Sequence, residues 1–416
     1  MSSQVPVPLP SNSNNDSTSN SKIQHAAGHR AKVGNFNLPA AQSISLPSEL
    51  KHELQFYPNS SAPNWSSYFT IDIKTTNILM NDITLQFNMG LPTGGATGLS
   101  MNPCWQWINR LEIVQGGNVI STLQGSQMFL MAQLLDWEED RVAINNAASP
   151  YNSLALRQTM AGLASPCYYA TLKTFFNQDK VPILNDSMAV QLRVYMANLA
   201  DVATVTGGTL TAFPINSVNA ICKVTRLDSL TAQSHLKAMA IQPYHHVFHD
   251  NVYFPYSVPS GVTTVTTVLS GITGNVAALY FTVRASTIGT GFYTFSQLAS
   301  FNIADNTGTN IVGGQNLTAS LCANILNKDW CKSSYFAETS FGTTDTKANF
   351  YCFAFSGDIV SALSYGQCLT SRKFTGNETL TLVFPSALAA AVQVDVYACV
   401  ESVLEISPSS VRKILM

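Results

Sequence analysis

The densest run of potential ligands is HHVFHD, where His245, His246 and His249 stand beside Asp250. Three imidazoles and a carboxylate are a donor set suited to zinc or non-haem iron. The spacing works against such a site. On a strand His245 and His249 share one face while His246 points to the other. The surrounding YHHVFHDNVYFPY is aromatic and strand-forming. The plainer reading is a strand that opens a second domain, with no metal. A second cluster, DWEEDR, groups Asp136, Glu138, Glu139 and Asp140. Paired carboxylates can act as general acid and base, but no other acidic motif completes a site, and the cluster reads as a solvated loop after a helix. Gly289-Thr290-Gly291 lacks the third glycine and the following helix of a dinucleotide fingerprint. There is no G-x-x-x-x-G-K-[ST], H-E-x-x-H or G-x-S-x-G. Isolated Ser, His and Asp residues are plentiful, but a triad is defined by geometry and not by order. The sequence therefore assigns no catalytic, cofactor or metal residue.

The cysteines are Cys104, Cys167, Cys222, Cys322, Cys331, Cys352, Cys368 and Cys399. None forms C-x-x-C, so zinc spacing is missing. The N-terminus has no basic region followed by an apolar one, which points away from a secretory leader. Buried, reduced thiols are expected. The N-x-[ST] sequons at Asn15, Asn59, Asn64, Asn185, Asn316 and Asn377 are what so Asn-, Ser- and Thr-rich a chain yields by chance.

The elements that would position any of these groups are strands. Phe69, Ile71 and Ile73 alternate with polar residues, as do Ile83, Leu85, Phe87 and Met89, and Val190, Leu192, Val194 and Met196. The pattern resumes in Leu279, Phe281 and Val283 around Tyr280, Thr282 and Arg284, then in Leu380, Leu382 and Phe384. Val392, Val394, Val396 and Val400 follow around Gln393, Asp395 and Tyr397. Period-two alternation places the apolar set on one face of a half-buried sheet. Strand after strand with Gly and Asn between them predicts an all-β sandwich. One helix interrupts: Met128, Met131, Ala132 and Leu135 stand at helical spacing. Its methionines read as core filler on a helix covering a sheet end.

A weak repeat suggests two similar halves. LEIVQGGNVISTLQGSQMFLMAQLLDW ends at Trp137, and FNIADNTGTNIVGGQNLTASLCANILNKDW ends at Trp330. The spacing suits a duplicated domain, with a boundary near 230–240.

Composition bounds the rest. The 416 residues favour two domains, and 46% hydrophobic content can bury a sizeable core. Only 11% are charged, against about 25% in average soluble proteins. The net charge is −2. These values exclude a disordered chain, a coiled coil and a strongly basic nucleic-acid binder. No run reaches the roughly 20 apolar residues of a spanning helix. A neutral polar surface suits a protein covered by copies of itself. Residues 1–45 contain the low-complexity PSNSNNDSTSNSK and read as a flexible, mildly basic arm, with Lys22, Arg30 and Lys32 against Asp16.

The stretch INRLEIVQGGNVISTLQG (Ile108–Gly125) resembles a recurrent segment of double jelly-roll major capsid proteins, in which a strand runs through a Gly-Gly turn into a second strand. LRVYMANL (Leu192–Leu199) resembles a late strand of their first jelly roll. AICKVTRLDSLTAQSHL (Ala220–Leu236) is similar to its end and the crossover. YHHVFHDNVYF resembles the opening of the second jelly roll, and NVAALYFTVRAS (Asn275–Ser286) its paired strand. Together these cover about half of the chain in the right order. The family includes tailless icosahedral phages, virophages, polinton-like viruses and large nucleocytoplasmic DNA viruses. The crossover lacks an arginine-rich run of the large-virus kind, which favours the smaller ones.

The resemblance implies an all-β chain of two tandem eight-stranded antiparallel jelly-roll sandwiches with a few short helices. It divides the chain into a flexible arm at 1–45, a first roll at 46–235, a second at 236–405 and a tail at 406–416. It implies a major capsid protein, a structural non-enzyme whose homotrimers form pseudo-hexameric units of an icosahedral virion assembled inside the host cell. Partners would be further copies, neighbouring capsomers, and penton and minor capsid proteins, with no cofactor; the host receptor is open. Lys22, Arg30 and Lys32 would face inward, towards an internal membrane or the packaged genome. SPSSVRKILM, with Arg412 and Lys413, would be a second arm. Val142–Ser165 and Asn327–Asn349 would be tower or inter-subunit loops. Two rivals share the β character. A tandem β-sandwich lectin or adhesin would carry a leader and aromatic sugar platforms. A cupin-like metalloenzyme would use His245, His246 and His249.

Overall fold

The alternating runs of the sequence become strands with their apolar sets turned inward; Phe69, Ile71, Ile83, Leu85, Leu192 and Val194 are all fully buried. The computed structural model describes residues 51–94, 96–98, 103–135, 167–177, 181–206, 208–286, 296, 298–311, 317–318, 350–355 and 371–415. The expected arm with Lys22, Arg30 and Lys32, the DWEEDR cluster, Gly289–Gly291 and both nominated loops lie outside them.

The first half supplies β1 (Lys51–Pro58), β2 (Tyr68–Ile73), β3 (Ile78–Met89), β4 (Ala96–Gly98), β5 (Ile108–Gln115), β6 (Asn118–Gln124), β7 (Cys167–Thr171), β8 (Val181–Ile183), β9 (Val190–Met196), β10 (Thr204–Thr206) and β11 (Ile215–Arg226). Two four-stranded paths form, in the orders β1-β11-β3-β7, with β8 added beside β3, and β2-β9-β5-β6, while β10 and β4 pair as a separate two-stranded sheet. The second half supplies β12 (Tyr244–Val258), β13 (Thr264–Val268), β14 (Thr273–Ala285), β15 (Ser300–Ala304), β16 (Leu317–Thr318), β17 (Phe350–Ala354), β18 (Arg372–Thr375), β19 (Thr379–Val383), β20 (Val392–Ser407) and β21 (Ser410–Leu415). Its sheets run β12-β20-β14-β17 and β13-β19-β15-β16, with β18 beside β14 and β21 beside β20. In each half one sheet pairs its first strand with its last, and the other nests inside that pairing. This is the order of an eight-stranded jelly roll, found twice, as the sequence predicts.

Three helices punctuate the described residues: α1 (Pro103–Trp107), α2 (Gly125–Leu135) and α3 (Ser229–Ile241). The α3 helix carries the chain from β11 to β12. Its start is set by Asp228, whose carboxylate accepts from the Thr231 amide at 2.8 Å. Gly125 lets α1 and α2 meet, since a Cβ there would stand 2.0 Å from the carbonyl oxygens of Trp105 and Ile108. None of the described helices is long and apolar enough to cross a membrane.

Each sandwich has an aromatic centre. In the first, Trp107 is ringed by Phe87, Tyr168, Phe213 and Trp65 at centroid distances of 5.0 to 6.1 Å. Its indole N–H is satisfied by the Val202 carbonyl at 3.0 Å. In the second, Phe281 lies between Phe301 and Tyr351 at 5.0 and 5.3 Å, within a cluster that includes Val394, Val396 and Ala398.

Candidate functional site: the junction between the rolls

Where β12, β20 and β14 lie side by side, Tyr253 stands opposite Tyr397, which stands opposite Tyr280. The rings stack in a row, 5.2 Å between neighbouring centroids and within 25° of parallel. Val394, Val396 and Ala398 point the other way, into the core of the second roll. In a lone sandwich the tyrosine face would meet water. Here Tyr280 and Tyr397 are 0% exposed, because α2 of the first roll lies on them. The Ser126 hydroxyl bonds to that of Tyr397. The Gln127 amide donates to the Tyr280 hydroxyl at 3.2 Å, and Tyr280 donates in turn to Asn251 at 3.2 Å. The Asn251 amide also approaches the Met131 sulfur. Met128 and Met131 are buried, as expected of filler, but their helix covers the partner roll as well as its own. Burial, followed by the nearby Asp395 charge, raises the phenol pKa values of Tyr253 and Tyr397.

Beside the row, Asp395 is fully buried and takes the Arg284 guanidinium at 2.5 Å and the Tyr253 hydroxyl at 2.7 Å. The sequence pattern sets Thr282, Arg284 and Asp395 on the wet face of a half-buried sheet. The structure corrects this: Thr282 and Asp395 are buried and Arg284 nearly so, since the sheet is covered on both faces here.

The histidine run lies in β12, the opening strand of the second roll. The unbroken register of β12 against β20 keeps His245 and His249 on one face and His246 on the other, and both faces are covered, with His246 and His249 buried and His245 half-buried. His245 sits 3.2 Å from Glu405. His246 stacks on Phe248, and Phe248 packs against Phe175 of the first roll at 5.0 Å. Asp250 accepts from Ser121 of β6 at 2.8 Å and from Lys413 of β21. Among the described residues no three His, Cys, Asp or Glu converge on a point that could hold a metal.

The C-terminal segment, expected as an arm, is instead the second strand of a hairpin with β20. Arg412 donates to Glu405 at 2.6 Å. That hydrogen bond, with a further one from His245, outweighs burial and lowers the Glu405 pKa. Lys413 is held by Asp250. At the hairpin tip the Pro408 carbonyl accepts from Asn185 at 2.6 Å and Ser187 at 2.7 Å, both of the first roll. Asn118 donates to the Val411 carbonyl. Gly116 makes this approach possible; its φ is +57°, and a Cβ would come within 2.7 Å of the Ser187 carbonyl oxygen.

The thiols of Cys104, Cys167, Cys222 and Cys399 are not in disulfides. Cys104 and Cys222 are buried, and burial raises their pKa, which leaves them poor nucleophiles.

Sequence reasoning missed the tyrosine row and its Asp395–Arg284 neighbour. A signal was present: VAALYFTV and VDVYACV are apolar or aromatic at nearly every position, as in strands covered on both faces.

No protein-family model matches the chain, and no curated protein matches it in sequence. Solved structures do match in shape. VP54 of PBCV-1, as fitted into a reconstruction of the virophage Sputnik, aligns with a TM-score of 0.63 at 15% identity, over 88% of this chain and 98% of that one. The Faustovirus major capsid protein aligns at 0.62 and 8% identity, over 94% and 98%. The mavirus major capsid protein aligns at 0.52 and 11% identity, over 100% and 97%. The chain has the fold of these double jelly-roll proteins.

Proposed function

We propose that this chain is a major capsid protein, a structural and non-catalytic subunit whose trimers tile an icosahedral virion. The observation that carries the reading is the junction. Two jelly rolls are fixed to one another within one chain by a buried polar and aromatic contact, over a fold shared along almost the whole length of three viral capsid proteins. A rigid pair of like domains is a suitable building block for a shell. Three such pairs make a ring of six similar rolls, and symmetry multiplies each weak contact around it. Low charge fits subunits that bury much of their surface against one another, because desolvating unpaired charge is costly.

In this reading the N-terminal segment, with Lys22, Arg30 and Lys32, faces the interior and touches membrane or genome, while penton and minor capsid proteins complete the shell. Arg412 and Lys413 are already paired within the chain, and both pairs fasten β21 to the strands of the second roll.

The test is the native mass of the purified full chain by size exclusion with light scattering, followed by imaging. A trimer of about 135 kDa, three copies of the 45.0 kDa chain, with a hexagonal outline, or closed shells, is the expected result. A monomer that persists at high concentration and forms no shells overturns the reading.

A further inference from the structure

The last strand of the second roll meets the first through two groups that can condense. Lys413 of β21 and Asp250 of β12 lie 163 residues apart in sequence and touch through Nζ and Oδ2. The contact is covered: Asp250 is 5% exposed and the Lys413 side chain 25%. The two carboxylate oxygens are held differently. Oδ2 meets the amine, and Oδ1 accepts from the Ser121 hydroxyl at 2.8 Å. One oxygen is thus anchored and the other is turned to a nucleophile.

The kind of cation matters. In the other sealed pair of this roll, Arg284 with Asp395, the guanidinium keeps its proton and is no nucleophile. A lysine amine does lose its proton in a covered site, and the free amine attacks carbonyl carbon. In water an ammonium and a carboxylate stay ionised. Away from water the proton can pass from one to the other, because the neutral pair needs no hydration. Contact within a fold also removes the entropic cost of bringing two reactants together, equivalent to an effective molarity of about 10⁵ M or more.

We propose that Lys413 and Asp250 condense into an isopeptide bond, an internal cross-link between the first and last strands of the second roll. The proton passes from Nζ to Oδ2, and the free amine attacks Cγ. The C–N bond forms while Ser121 donates to Oδ1, where negative charge builds. The bond from Cγ to Oδ2 then breaks. Oδ2 leaves as water with the proton it received and one from the nitrogen, and Oδ1 stays as the amide carbonyl oxygen, still bonded to Ser121. The step consumes no oxidant, reductant or co-reactant.

The structure holds the pair before this step, when it contributes as an ion pair. Afterwards the two ends of the roll cannot part without breaking a covalent bond, and a long loop of the unfolded chain is closed. The hairpin that meets the first roll through Pro408 is then anchored on a linked strand. The inference concerns a single chain and does not depend on the capsid reading.

The experiment is the intact mass of the denatured full chain, measured freshly refolded and after storage at neutral pH. Wild type is expected to become lighter than its sequence mass by one water, about 18 Da. Proteolysis should then yield a branched peptide that joins the Asp250 and Lys413 segments. Lys413→Arg, which keeps the positive charge, is expected to hold its full mass, give no branched peptide and unfold at a lower urea concentration than linked wild type. Ser121→Ala is expected to lose the water about 100-fold more slowly. Wild type at its full sequence mass after storage overturns the proposal, and that result needs no variant to fold. A lost water that maps to another residue, as in an internal succinimide, overturns it too. A rate unchanged in Ser121→Ala overturns the part given to Ser121.

Discussion

Lys413, in the last strand, donates to the carboxylate of Asp250, in the first strand of the second roll, while the other oxygen of that carboxylate accepts from Ser121 of the first roll at 2.8 Å. One buried anion thus ties together three parts of the chain that meet nowhere in sequence. Lys413→Met removes the ammonium from Asp250 and leaves the carboxylate its hydrogen bond from the Ser121 hydroxyl. The expected loss is about 1–3 kcal/mol of unfolding free energy. It would be read from the urea midpoint at constant m-value. Asp250→Asn in the same background should recover part of the loss, because the amide carries no charge to strand.

Asp395 and Arg284 form a second sealed pair. Asp395→Leu leaves the guanidinium in a covered face with its main counter-charge removed, and should cost about 3–5 kcal/mol. The double variant Arg284→Met/Asp395→Leu should cost much less, since neither charge is then buried. Thermal unfolding of the two singles and the double closes the cycle. An additive double variant would show that the pair does not act as a unit.

The Arg412–Glu405 pair makes a pH-dependent contribution. Its hydrogen bond is the largest cause of the lowered Glu405 pKa, with His245 adding to it against burial. A carboxylate whose folded pKa is depressed stabilises the fold above its unfolded pKa, and that stability is lost as the pH falls through the folded value. Arg412→Ala should therefore weaken the protein at neutral pH and match wild type in acid, in denaturant titrations run at both. A deficit that stays constant with pH would place the effect elsewhere.

Two adjacent glycines separate strain from crowding. Both have positive φ, +57° at Gly116 and +85° at Gly117, but a Cβ on Gly117 meets nothing within 4 Å. Gly117→Ala should cost about 1 kcal/mol, the penalty of the left-handed conformation. Gly116→Ala carries that penalty and a collision with the Ser187 carbonyl, so its unfolding midpoint should fall distinctly further.

The strands were legible because each sandwich core is read from alternate positions: Ile71, Leu85, Leu192, Phe281 and Leu382 are buried where the period puts them. The helix at Met128 and Met131 was legible from its spacing for the same reason. Contacts between the rolls obey no local period. Tyr280 and Tyr397 occupy outward positions of their strands and are buried by a helix well over 100 residues away in sequence. The C-terminal strand was hidden by its polar start. Ser407-Pro408-Ser409-Ser410 looks like the beginning of a tail and is a hairpin turn, after which Val411 is buried. The order of the resemblance motifs, more than any one of them, gave the pairing of two rolls.

The closing strands set a schedule for synthesis. β1 waits for β11, Lys51 pairing with Arg226, and β12 waits for β20, Tyr244 pairing with Ile406. At about 5–20 residues per second on the ribosome, the first roll can close while the second is still being made. The second cannot close until β20 (Val392–Ser407) is out. The hairpin with β21, which adds the Pro408 and Val411 contacts to the first roll, forms only after that. A chain stalled before β20 therefore lacks Tyr397 and the hairpin, and with them the Ser126 and Pro408 contacts that fasten its halves together.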